Sequence, residues 1–114
     1  MSPIDKCALE FVKHGVDFAY CLEQEYQRGF VFSTPDFFIM GFAVRRNVNG
    51  LLWDHSDNPD AWYITGMAGD MDKAWSILPY ELPFVSFQRF DNSLRFIPIE
   101  RLRRLSKHEP ALVS

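Results

Sequence analysis

The chain holds two cysteines and three histidines in 114 residues. No apolar run approaches the ~20 residues needed to cross a bilayer as a helix. The N-terminus lacks a basic stretch followed by an apolar core, so no secretory leader is expected. A soluble, reducing, cytoplasmic setting follows as the expectation. No Gly-Lys-Ser/Thr run is present, which excludes a P-loop. A formal net charge of −3 removes any whole-chain nucleic-acid signature. The histidines, His14, His55 and His108, lie in different segments, and no Ser or Cys is placed beside a base. No catalytic residue is therefore assigned.

Metal sites fare no better. Cys7, His14 and Cys21 recur every seven residues. On one helix each step of seven is ~10.5 Å at ~1.5 Å per residue, too far to share a zinc with bonds of ~2.0–2.3 Å. A Cys7–Cys21 disulfide requires the helix to break at Gly15 and fold back. Asp54, Ser56 and Asn58 open like a calcium loop, but Pro59 stands where glycine is required and Thr65 where the bidentate glutamate belongs. Asp70 and Asp72 read as helix N-terminal carboxylates. No metal is expected.

What is present is apolar and aromatic. Eleven phenylalanines and an aromatic share of 16% predict a large core or an adhesive surface. One domain spanning 1–114 is expected from the length, with 108–114 a frayed tail. Charge is uneven: residues 1–83 sum to −6 and residues 84–114 to +3. Arg101, Arg103, Arg104 and Lys107 carry most of the basic excess. A solvated helix face is the simple account; a contact for an acidic partner, phosphate or nucleic acid is the sharper one.

The chain is organised around residues 61–90. Ala61–Thr65 is β-branched and aromatic, as a strand requires. Gly66, Met67, Ala68 and Gly69 read as a loop, and Asp70 as the N-cap of a helix carrying Met71, Ala74, Trp75 and Leu78 on one face. Pro79 and Pro83 close that helix, and residues 84–90 form the next strand. The connection is long enough for a right-handed crossover, so a parallel pair is expected, with an antiparallel arrangement and the helix as an excursion as the competitor. Ahead of this unit, Ser2-Pro3 with Asp5 reads as a helix start. Ile4, Ala8, Phe11, Gly15, Phe18 and Leu22 then form an apolar stripe, widened by Val12, Ala19 and Tyr26 and ending at Gly29. Gly15 either admits close packing or divides the stripe into two helices. Phe30–Phe32 is a short strand, Ser33–Asp36 a turn, and Phe37–Val44 a strand buried on both faces. Leu51-Leu52-Trp53 interrupts a polar loop, as a short strand or as an apolar patch. Residues 84–90 and 94–99 flank Asp91-Asn92-Ser93 as a hairpin, and 100–107 is a short final helix. The expected fold class is α+β: a mixed sheet of four to six strands, with a long N-terminal helix and a short central helix packed on it.

The order helix, two strands, strand–glycine loop–helix, strand resembles the acyl-CoA N-acetyltransferase (GNAT) superfamily. The resemblance covers residues 4–96 as element order only. It implies an acyl-CoA ligand, acetyl-CoA, held by the loop Gly66, Met67, Ala68, Gly69 and Asp70, with Asn92 following the next strand. The signature Gln/Arg-x-x-Gly-x-Gly/Ala is absent; Met67 and Asp70 stand where a basic and a small residue are expected.

Two functions follow as expectations. The first is a non-enzymatic binding or protein-interaction module with no cofactor, engaging a protein partner or a second copy of itself as a homodimer through Trp53, Trp62, Arg89, Arg101, Arg103 and Arg104, Trp and Arg being favoured anchors. Trp62 has a competing role in the core. The second is a reduced GNAT-like acyl-CoA-binding protein or N-acetyltransferase. Neither reading involves a membrane or nucleic acid.

Overall fold

A computed structural model describes residues 1–46, 52–54, 59–78, 82–88 and 94–105. Among these residues, four helices and a mixed sheet form an α+β fold.

The N-terminal stripe is two helices, α1 (Pro3–Lys13) and α2 (Phe18–Arg28). Ser2 caps α1, accepting from the Asp5 amide at 3.3 Å and donating to its carboxylate at 2.7 Å. Gly15 then ends it. Its φ of +71° disfavours any L side chain, and it lets Val16 N–H reach the Phe11 carbonyl and Gly15 N–H the Val12 carbonyl. These two bonds close a Schellman motif. Asp17 restarts the helix by capping the Tyr20 amide at 3.1 Å. The stripe runs through the break because both helices turn the same face to the sheet. Phe11 and Phe18 meet edge to face across it, with ring centroids 5.2 Å apart. Val12, Ala19 and Tyr26, expected to widen the stripe, are exposed instead.

The strands are β1 (Phe30–Ser33), β2 (Phe37–Arg46), β3 (Leu52–Asp54), β4 (Ala61–Gly69), β5 (Phe84–Gln88) and β6 (Leu94–Pro98), ordered β1-β2-β4-β5-β6 with β3 paired to β2. Among the described residues all pairs are antiparallel except β4–β5. The parallel pair is joined by α3 (Met71–Ile77), as a crossover requires. Asp70 caps α3 by accepting from the Lys73 amide. The final helix, α4, spans Ile99–Leu105. The expected hairpin is β5–β6; its turn residues, with Arg89, Asn92 and the tail 108–114, lie outside the described residues.

Period-two alternation sorts the core between the two faces of the sheet. Phe37, Ile39, Ile64 and Val85 meet Ala74, Trp75, Leu78 and Ile99 on the α3–α4 side. Phe38 and Met40 meet Cys7 and Phe11 on the α1–α2 side. β2 is thus buried on both faces, as its apolar run predicts. Leu52-Trp53 forms the short strand alternative, β3.

Candidate functional site

The register between β2 and β4 slips once. Gly41 faces Ile64 but Met40 faces Gly66, so Thr65 is an extra residue, a β-bulge in mid-sheet. Gly66–Gly69, expected as a loop, therefore continues β4. The strand persists because β2 is long enough to pair with it as far as Phe37–Gly69. The turn to α3 contracts to Gly69-Asp70. Gly69 has φ +92°, and a Cβ there would collide with the Asp36 carbonyl and come within 2.9 Å of Phe37 Cα.

Hydrogen-bond phase decides where the β4 main chain points. Thr34 N–H donates to the Phe37 carbonyl at 2.8 Å, so Thr34–Phe37 is a bonded pair. Bonded pairs alternate along an antiparallel ladder. Phe37 and Ile39 thus face β1, while Phe38 and Met40 face β4, bonding Ala68 and Gly66. Asp70 N–H donating to the Asp36 carbonyl at 2.9 Å keeps the same phase. Met67 and Gly69 consequently direct their main-chain groups away from β2, toward the β5 side. There the β4–β5 register covers Ala61–Ile64 against Phe84–Phe87, β5 ends at Gln88, and β4 runs on to Gly69. Among the described residues β4 is thus left without a β5 partner beyond Ile64, at the carboxyl ends of two parallel strands, the place where open α/β sheets bind ligands. Cys7 borders it. Its thiol is pushed up to about 11 by burial, against a lowering hydrogen bond from the Met67 main chain and a small raising effect of Glu10.

Behind the bulge lies a polar cluster. Glu25 is 1% exposed, although it sits in the apolar face of α2 beside Cys21 and Leu22. Its carboxylate accepts from Arg28 Nε at 2.7 Å and from Thr65 Oγ1 at 3.0 Å. The Arg28 guanidinium lies 3.8 Å above the Phe42 ring, and Phe42 packs edge to face on Tyr63 at 5.4 Å. The Tyr63 phenol is raised by burial and by Glu25, with Arg28 opposing. Cys21 is raised by burial first and then by Glu25 and Asp17, with Arg28 opposing. Ser86, opposite Tyr63 in β5, buries a hydroxyl with no hydrogen-bond partner among the described residues. The bulge turns Thr65 toward α2, and the buried carboxylate holds it there. None of Glu25, Arg28, Tyr63 or Thr65 was picked out by sequence reasoning as a site residue. The available signal was a charged residue at helical spacing inside the stripe, with an arginine three residues on.

The residues singled out from sequence are dispersed. Gly66, Met67, Ala68, Gly69 and Asp70 line the far half of β4 and its turn. Trp62 occupies the near half, half-buried and edge to face with Phe30 at 5.3 Å, packed against the α3–α4 core. Trp53 lies in β3. Arg101, exposed, shares α4 with Arg103 and Arg104. Cys7 and Cys21 join one apolar cluster, as the break at Gly15 permits, yet both are free thiols. Among the described residues no helix is long and apolar enough to cross a membrane. Compared with family models, curated proteins and solved structures, the chain matches none.

Proposed function

We propose that the protein is a reduced GNAT-like module that binds an acyl-CoA, such as acetyl-CoA, in the opening between β4 and β5. The observation that carries the reading is the parting of the only parallel pair among the described strands at Ile64, with Met67 and Gly69 turned toward the gap. The pantetheine arm of CoA bears amides, and a strand edge recognises amides by main-chain pairing. The bulge at Thr65 is a second support, because bulges concentrate beside ligand sites. Asn92 would follow β5 in this reading. No catalytic residue is assigned; the reading is of binding.

The test is a thermal-shift titration with acetyl-CoA and free CoA, joined to amide NMR. Ligand at ~100 times its Kd adds ~2.7 kcal/mol, a rise on the order of 10 °C for a domain of this size. The amides of Met67–Asp70 should shift saturably with it. A flat melting temperature, or shifts elsewhere, would reject the reading. Gly69 is unsuitable as a mutational probe, because any side chain there strains the fold itself.

A second reading, a non-enzymatic interaction module, is supported by exposed apolar residues on α1, α2 and the link between them: Leu9, Val12, Val16 and Tyr20. Its candidate contacts elsewhere are Arg101 with Trp53, Arg89, Arg103 and Arg104. Loss of partner capture on Trp53→Ala or Arg101→Ala supports it; unchanged capture in both removes those contacts.

A further inference from the structure

We propose that β1 is the self-association edge of the protein, pairing antiparallel with β1 of a second copy about a two-fold axis at Phe32. The inference rests on the interaction reading, not on acyl-CoA binding.

Among the described residues the sheet ends at β1, which pairs with β2 alone. Bonded pairs Thr34–Phe37, Phe32–Ile39 and Phe30–Gly41 turn the main chain of Phe30 and Phe32 inward. Val31 and Ser33 therefore point their N–H and C=O groups outward. Native edges are usually blunted by lysine, proline or a bulge. The run Gly29–Thr34 (GFVFST) carries none of these, and Phe32 and Ser33 are exposed.

Those outward groups choose the register. Pairing Val31 with Val31, or Ser33 with Ser33, satisfies only one residue of each edge. Pairing Val31 of each copy with Ser33 of the other satisfies both residues of both edges. Phe32 then faces Phe32 as a non-bonded pair, in which side chains approach most closely. Phe32 already touches Phe30 at 5.5 Å, and Phe30 touches Trp62 at 5.3 Å. The dimer joins two such aromatic rows on one face of a continuous sheet. Because the two-fold uses the same edge in both copies, the assembly closes at two.

The test is sedimentation equilibrium across a dilution series. Ser33→Pro deletes an outward N–H that the sheet itself does not use, a placement at which an edge strand tolerates proline. It should leave the monomer folded by circular dichroism and weaken the dimer about tenfold or more. Phe32→Cys, in a Cys21→Ser background, should form an interchain disulfide under air, and Val31→Cys should not. A wild-type protein that stays monomeric overturns the proposal. So does a dimer that Ser33→Pro leaves intact and Phe32→Cys fails to crosslink; that outcome places the interface elsewhere and spares the interaction reading.

Discussion

Arg28→Ala is the sharpest test of the polar cluster behind the bulge. Glu25 is 1% exposed, while the Arg28 side chain is 40% exposed. The two partners are therefore unequal. Removing Glu25 leaves a cation that water can reach; removing Arg28 leaves a buried carboxylate with, among the described residues, only Thr65 donating to it. Breaking a fully buried pair costs ~3–5 kcal/mol. Water access on the Arg28 side lowers this, so Arg28→Ala should cost ~2–3 kcal/mol. Part of that is the lost stacking on Phe42, ~0.5–1 kcal/mol. Glu25→Gln keeps the shape and an acceptor for Thr65, and should cost ~1 kcal/mol. Once the charge at position 25 is gone, Arg28→Ala should matter less, with a coupling of ~1 kcal/mol or more. Urea denaturation of the wild type, both single variants and the double variant measures all of these. If Arg28→Ala lies within ~0.5 kcal/mol of wild type, or the double variant is additive, the cluster is ordinary surface and the reasoning is wrong.

Two further outcomes follow from the same packing. The Cys7 thiol rises from 9.0 to about 11 in the fold. Above pH 9 the unfolded chain ionises first, so stability is full below pH 9 and declines between 9 and 11, by up to ~2.7 kcal/mol for a two-unit difference. Cys7→Ala should reduce that slope in urea melts, and Cys7 should resist alkylation at pH 8 until the protein unfolds; ready labelling of the native protein would contradict its burial. Gly15→Ala and Gly69→Ala should differ in size. Gly15 has φ +71° and open space around it, so its cost is conformational, ~1–2 kcal/mol, whereas Gly69→Ala also drives a methyl into Asp36 and Phe37 and should cost clearly more in thermal melts. Equal losses would argue against the close approach of β4 to the β1–β2 turn.

Local chemistry made much of the fold legible. Ser2, Asp70 and the Gly-Pro punctuation marked helix ends, because caps and turns are decided by neighbours in sequence. The two-sided apolar run of Phe37–Val44 announced a central strand, since only a covered strand can bury both faces. The length between residues 65 and 84 announced a parallel crossover. Tertiary structure decided the rest. Gly66–Gly69 has the composition of a loop, yet the facing strand β2 supplies enough partners to hold it in the sheet with one residue to spare. The apolar stripe continues through Gly15 because two helices on the same sheet face keep the phase of one. Glu25 looks like a surface residue by type, and only the tertiary fold, which sets Thr65 of the bulge against α2, adds a second donor to the one that Arg28 supplies from the same helix. Where main-chain groups point is likewise set by pairing phase, which no side chain encodes; it is that phase which opens Met67 and Gly69 toward the gap and leaves Val31 and Ser33 at the edge.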